Sequence, residues 1–84
     1  MALPTHSEIV GRMMEALQEL KKRKIISPRP FCEMYGINRR NFWLLEKNPD
    51  SKIFNVEWLS ILVIEFGLSA HWLLTGEGDM FENH

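Results

Sequence analysis

The chain has 84 residues, of which 45% are hydrophobic and 25% charged, a composition that supports a folded domain rather than a disordered chain. A chain of this length buries only about 60% of its unfolded surface, which argues against a large internal active-site cavity. The formal net charge of −1 excludes a uniformly basic protein. We therefore expect residues 1–84 to form one domain.

The cysteine content and the distribution of apolar residues indicate the cellular compartment of the protein and whether it holds a metal or another cofactor. Cys32 is the one cysteine, so the chain has neither an internal disulfide nor a cysteine-based zinc cluster, as suits a reducing compartment. The N-terminal residues lack the pattern of a secretion signal, and Ser60 interrupts the most apolar stretch, Trp58 to Ile64. Three histidines lack metal-ligand spacing and are predicted at the surface: His6, His71 and His84. We expect a cytoplasmic protein with no membrane partner and no cofactor.

Charge is distributed unevenly along the chain. Nine of the ten Lys and Arg residues, but only three of the eleven acidic residues, lie between Lys21 and Lys52, so this segment carries +6 and the remainder −7. Because a phosphate backbone responds to a local basic face rather than to the total charge, nucleic acid is a candidate partner. A solvated helix end would account for Lys21 to Lys24 but not for the arginines further on.

The first helix is predicted from Thr5 to about Lys24. Thr5 and Glu8 have the spacing of a capping box, in which each side chain satisfies a backbone N–H at the helix start. Apolar residues then recur at helical spacing from Ile9 to Leu20. The Lys21 to Lys24 cations favour the negative end of the helix dipole and are expected to close the helix.

A short second helix and a tight turn are predicted next. Ser27 as N-cap and proline at the first helical position indicate a helix over about Pro28 to Tyr35. Gly36 supplies a residue that adopts positive φ readily, as a turn between two helices requires. Asn38 is then placed to cap a new helix.

The third helix is predicted from the Asn38 cap to about Lys47. Asn48, Pro49 and Asp50 are expected to end it. Proline disfavours helix in the residue before it, and asparagine tolerates the left-handed conformation.

Two further helices complete an all-α chain of five short helices. The fourth is predicted from an Asn55 N-cap to Gly67, with Phe54 and Leu59 spaced as a hydrophobic staple. The fifth is predicted between a Ser69 N-cap and Gly76. No strand, repeat or linker is indicated.

The segment from residue 27 to 47 has the pattern of two helices that cross steeply. Such a crossing needs a small residue at the contact and a glycine in the turn, and Cys32 and Gly36 meet these needs. Apolar residues then face the shared core: Phe31, Tyr35, Ile37, Phe42 and Leu45. The exposed or partly exposed positions of the second helix of the pair hold Arg39, Arg40, Trp43 and Leu44.

With these residues the chain resembles the lambda-repressor-like helix-turn-helix family, also called the XRE or phage repressor type. Glu46 ends the second motif helix as the glutamate of that family often does. The string from Trp72 to Gly76, Trp-Leu-Leu-Thr-Gly, is similar to the closing helix of many phage-type repressors. The resemblance covers nearly the whole chain, to Phe81. It implies a helix-turn-helix domain that binds duplex DNA and regulates transcription.

We expect the helix that starts at Asn38 to read the major groove. The predicted DNA-binding residues are Arg29, Asn38, Arg39, Arg40, Trp43, Leu44, Lys47 and Lys52. Arg39 and Arg40 lie in a first turn, where the helix dipole disfavours cations, so a functional reason for them is favoured. Trp43 has two interpretations, contact with a thymine methyl or sugar edge and packing against the following loop.

Alternatives to this function come from the apolar residues. A protein-interaction module that keeps the repressor fold would use the surface of Trp43, Leu44 and Trp58. Four apolar residues indicate either deep burial or a homodimer contact through helix 4 or helix 5: Trp58, Ile61, Ile64 and Trp72. An enzyme is disfavoured, because no acid/base pair or nucleophile arrangement emerges and Cys32 is interpreted as core.

Overall fold

The computed structural model describes residues 3–82, so the predicted surface position of His84 lies outside the described residues. Five α-helices occupy this range, and only an isolated antiparallel bridge represents β structure in it. The helices are α1 (His6–Lys22), α2 (Pro28–Met34), α3 (Arg39–Lys47), α4 (Glu57–Phe66) and α5 (Ala70–Thr75). The all-helical prediction is confirmed.

The start of α1 is the predicted capping box. The Thr5 hydroxyl accepts from the Glu8 backbone N–H at 3.2 Å, and the Glu8 carboxylate accepts from the Thr5 N–H at 3.1 Å. The carboxylate also accepts from the Thr5 hydroxyl at 3.0 Å, and its bonds from the Thr5 N–H and hydroxyl lower the pKa of the Glu8 carboxyl. The helix ends at Lys22, two residues before the predicted end, because Lys24 takes a φ of +60°.

The connection between α2 and α3 follows the predicted turn. Gly36 has a φ of +66°, and the Ile37 N–H donates to the Cys32 carbonyl at 2.8 Å, which closes the end of α2. The α2 helix stops at Met34, one residue short of the prediction. Ser27 is the N-cap residue, as predicted, but its side chain makes no capping bond, and proline occupies the first helical position.

The boundaries of α3 have different causes at the two ends. The Asn38 side chain accepts from the Asn41 N–H at 3.0 Å, which confirms the predicted cap. At the other end Asn48 has a φ of −134°, so the predicted left-handed conformation is wrong. The extended backbone that Pro49 imposes on Asn48 is sufficient to end the helix.

The start of α4 differs from the prediction. The Asn55 side chain accepts from the Glu57 N–H at 2.9 Å, but the N-cap is Val56 and the helix begins at Glu57. Backbone bonds from Trp58 and the next residue reach back only three residues, so a tighter turn precedes the helix. Phe54 packs edge-on against the Trp58 ring at 5.8 Å between centroids.

The short α5 helix is held at both ends. The Ser69 hydroxyl accepts from the Trp72 N–H at 3.1 Å, and Gly76 ends the helix with a φ of +80°, as predicted. Arg12 of α1 donates to the Leu73 carbonyl at 2.8 Å and to the next carbonyl at 3.0 Å. A cation from α1 therefore satisfies two carbonyls at the negative end of α5.

The core is apolar and is centred on Phe31, which is fully buried. Phe31 lies 6.4 Å from the Phe42 ring and 6.1 Å from the Phe66 ring, so α2, α3 and α4 share one aromatic cluster. Trp58 and Trp72 are only 9% and 8% exposed, which decides the open question at these two positions in favour of burial. The buried residues are Val10, Met13, Ala16, Leu17, Leu20, Phe31, Cys32, Ile37, Phe42, Leu45, Trp58, Leu59, Leu62, Leu68, Trp72 and Leu73.

Helix packing leaves one face of α3 free. The long α1 helix packs against α2, α3 and α5, while α2 packs against α3 and α4 against α5. Tyr35, predicted to face the core, is half-buried.

Between residues 3 and 82, none of the helices combines the length and apolar character needed to cross a bilayer.

Candidate nucleic-acid interface

A groove of about 560 Å³ runs between the start of α2 and the outer side of α3. Its lining is Pro28, Arg29, Cys32, Arg39, Arg40, Phe42, Trp43 and Glu46. Three arginines and one glutamate therefore surround a floor made by apolar side chains. The groove brings together four of the eight predicted DNA-binding residues, from both helices of the pair.

The alternation of buried and exposed positions along α3 creates this surface. Phe42 is 4% exposed and Leu45 is fully buried, which orients the helix on the core. The helical repeat then turns Arg39, Arg40 and Trp43 away from the core. The confirmed burial pattern leaves the cationic side of α3 exposed to a partner.

Arg39 and Arg40 occupy the first turn of α3 directly after the Asn38 cap. No acidic residue lies in that turn, so the helix itself offers these cations no local counter-charge. Arg39 instead reaches Glu33 of α2, with 3.7 Å between Nη1 and Oε1. The two arginines thus project from an unfavourable end of the dipole, which an anionic partner would offset.

Glu33 is a member of the site that the sequence interpretation did not include. Its Oε1 accepts from the Arg29 Nε at 3.3 Å and lies near Arg39, so one carboxylate links both helices. The spacing of Arg29 and Glu33, four residues apart on one helix, was a usable signal for the first contact. The contact with Arg39 crosses the turn and depends on the folded geometry.

Trp43 is 55% exposed and lines the groove. The Lys47 ammonium lies 5.6 Å from the centre of its ring, a cation–π arrangement along one side of α3. Leu44, beside it, is 37% exposed. An aromatic face flanked by cations is a surface that accepts a sugar edge or a thymine methyl as well as an apolar protein side chain.

Four predicted site residues do not line the groove: Asn38, Leu44, Lys47 and Lys52. The Asn38 side chain is engaged in the α3 cap, although the residue is exposed. Lys52 is exposed in the loop that follows α3 and does not line the groove.

Cys32 lies at the base of the groove but is 2% exposed, which confirms its prediction as core. Burial raises the pKa of its thiol, so the protonated form is favoured. His6 makes a hydrogen bond of 3.0 Å to the Ser51 carbonyl, and His71 lies 3.7 Å from Glu77. In the part of the chain that the structure describes, no three potential metal ligands lie together.

Comparisons with protein-family models, with curated proteins and with solved structures find no match to this chain.

Proposed function

We propose that this protein is a helix-turn-helix domain that binds duplex DNA and acts as a transcriptional regulator of the phage-repressor type. In this proposal α3 enters the major groove and the start of α2 lies across the phosphate backbone. Arg39 and Arg40 would face base edges, and Arg29, Lys47 and Lys52 would face phosphates. Trp43 and Leu44 would contact sugar edges and thymine methyl groups, and Asn38 would set the start of the reading helix.

The observation that carries the proposal is the exposed cationic and aromatic side of α3. Its first turn bears two arginines that the helix dipole disfavours, on a helix whose opposite side is locked into the core by Phe42 and Leu45. A rigid helix with exposed arginines satisfies the geometric demand of major-groove readout, since arginine donates two parallel hydrogen bonds to guanine.

Total charge does not contradict the proposal. The net charge of −1 hides a +6 segment from Lys21 to Lys52, and both helices of the groove lie within that segment. Phosphate contacts contribute most of non-specific affinity and decline with salt, so the logarithm of affinity should fall linearly with the logarithm of salt concentration.

The first experiment measures binding to random-sequence duplex by fluorescence anisotropy at several salt concentrations. We expect binding at low salt and a slope of about −3 to −5, which corresponds to a few phosphate contacts at about 0.9 per contact. Binding that is absent at low salt, or independent of salt, would overturn the proposal.

Replacing Arg39 and Arg40 together by Ala should abolish specific binding without loss of helicity. Both side chains are exposed, and each good base contact contributes about 1–3 kcal/mol. The matched control is Lys21→Ala with Lys22→Ala, which removes the same charge from the exposed end of α1. Affinity for a duplex selected from a random library checks the prediction, and circular dichroism checks the fold. Equal losses of affinity in both double variants would show that only the loss of positive charge matters, and would contradict base readout by Arg39 and Arg40.

We also propose that the DNA-bound form is a homodimer that associates through α4 and α5. Three apolar side chains line a groove of about 270 Å³ between these helices while remaining 65%, 76% and 46% exposed, namely Val56, Ile64 and Leu74. In the proposed dimer contact these three side chains take the place predicted for Trp58 and Trp72, because the two tryptophans are buried.

A second candidate function is a protein-interaction module with the same fold. The exposure of Trp43 and Leu44 on α3 favours it, whereas the burial of Trp58 removes one residue of the surface predicted for it. The salt titration separates the two functions, because an apolar protein contact gives no comparable dependence on salt.

A further inference from the structure

Glu33 places a carboxylate inside the most cationic part of the proposed DNA surface. Its Oε1 is 3.3 Å from the Arg29 Nε and 3.7 Å from the Arg39 Nη1. Between residues 3 and 82, Glu46 lines the groove beside these arginines but forms no ion pair within 4.0 Å. Glu46 therefore lines the groove without an ion pair, whereas Glu33 does not line it but contacts two of the arginines that do.

These contacts are exposed. The side chains of Arg29, Arg39 and Glu33 are 73%, 54% and 59% exposed. Exposed ion pairs contribute only about 0.2–1 kcal/mol each, so Glu33 adds little to the stability of the fold. Pairs of this strength exchange readily with an external anion, and the effect of Glu33 is therefore expected on binding rather than on folding.

We infer that Glu33 is a specificity-determining residue, whose carboxylate restrains Arg29 and Arg39 from indiscriminate phosphate contact while leaving Arg39 able to read a base. This inference rests on the proposed DNA-binding function. A phosphate that draws the two arginines away from Glu33 leaves an unpaired carboxylate beside the DNA backbone, and like charges repel. Non-specific binding is therefore weakened by the carboxylate.

Base readout is affected differently. Arginine carries five N–H donors, and Arg39 directs a single terminal nitrogen toward Glu33. The remaining donors stay available for a guanine edge, and the attraction of the carboxylate favours guanidinium orientations that face it. Glu33 can remain in place in a specific complex, where it acts as a positioning residue for Arg39.

The experiment compares wild type with Glu33→Gln, which keeps the size of the side chain and removes its charge. Affinities are measured by anisotropy for random duplex and for a duplex selected by the wild type. We expect a gain of about two- to fivefold on random duplex and a salt slope steeper by about one contact. Affinity for the selected duplex should change by less than about twofold, so the ratio of the two affinities falls.

Glu46→Gln is the matched control, since it removes one carboxylate from the groove that Arg29 and Arg39 line, without breaking an ion pair. We expect it to leave the ratio of affinities unchanged. In an Arg29→Ala, Arg39→Ala background, Glu33→Gln should strengthen binding to random duplex no more than Glu46→Gln does, because only the general effect of removing a negative charge remains.

Three outcomes would overturn the inference. Equal effects of Glu33→Gln and Glu46→Gln would show a general charge effect and leave DNA binding by the domain intact. A gain that is undiminished without the two arginines would reject the restraint mechanism alone. Absence of duplex binding by the wild type at low salt would overturn the proposed function and this inference together.

Discussion

Cys32 is a small side chain at the contact between α2 and α3, and it is 2% exposed. Its carbonyl accepts the Ile37 N–H, so the backbone at this point is held by the turn as well as by packing. Burial also raises the pKa of the Cys32 thiol, which favours the protonated, unreactive form. Packing at this position therefore accounts for the cysteine without a chemical role.

Cys32→Arg should abolish cooperative folding, because a long cation would be forced into a closely packed contact without a partner. Thermal unfolding followed by circular dichroism measures the effect. Cys32→Ala is the control and should cost only about 1–2 kcal/mol, as a small cavity does. A melting curve of Cys32→Arg that matches the wild type would show that the residue is not in the core.

Trp43 differs from the other two tryptophans in exposure, 55% against 9% for Trp58 and 8% for Trp72. If α3 enters a DNA groove, duplex should change the emission of this residue and shield it from acrylamide. We expect both changes with the wild type and neither with Trp43→Phe, which retains the two buried indoles. Unaltered emission of the wild type at saturating duplex would place Trp43 outside the interface.

At the scale of the helices, α5 shows how a short element is stabilised by a distant residue. With six residues it is too short to persist by itself, since isolated helices below about 12 residues are marginal. Arg12 contacts its last carbonyls from α1, across 61 positions of sequence. Arg12 is also the one basic residue outside the +6 segment, so its charge serves the fold rather than the groove.

Arg12→Ala should destabilise the domain by about 1–3 kcal/mol, the range for hydrogen bonds that involve a charged group. Urea denaturation measures the loss, and amide exchange should show the largest change in α5. Lys22→Ala removes an exposed cation from the same helix and serves as the control, with an expected effect within about 0.5 kcal/mol. Equal stabilities of the two variants would show that the carbonyl contacts contribute little.

Residues 3–82 of the molecule measure 34 × 30 × 20 Å, so in the proposed complex one copy would present a single α3 to DNA. One such helix reads only a few base pairs. Two copies related by a twofold axis would place two α3 helices about 34 Å apart, one turn of B-DNA. Neighbouring half-sites raise the effective concentration of the second copy, so association can be weak in free solution.

Ile64→Asp should weaken the proposed homodimer and reduce the affinity for a palindromic site by at least about tenfold, while binding to a single half-site is retained. Ile64 is 76% exposed, so the substitution tests association rather than the core. Ile25→Asp, at another exposed apolar position, is the control. Sedimentation and footprinting on the selected duplex give the stoichiometry, and one protomer bound at full affinity to an unrepeated half-site would rule the dimer out.

Local signals predicted much of this fold correctly. Capping boxes, glycines at positive φ and the helical repeat act over a few residues, so they can be read directly from the chain, as at Thr5, Gly36 and Gly76. The start of α4 was predicted wrongly, because Asn55 forms its capping bond within a tighter turn that precedes the helix. The exposed side of α3 was predicted from periodicity, since burial of Phe42 and Leu45 determines which residues face outward.

The sequence by itself determined the five helices, the Asn38 cap and the cationic side of α3, because these depend on neighbours within one or two turns. Tertiary structure decided whether each tryptophan is buried or exposed, and it decided the partners of Arg12 and Arg39. A periodic pattern states that a side chain lies on an apolar stripe, but only packing determines whether another helix covers that stripe. Charged side chains likewise select partners by distance in space, which the chain reaches only when α1 meets α5 and α2 meets α3.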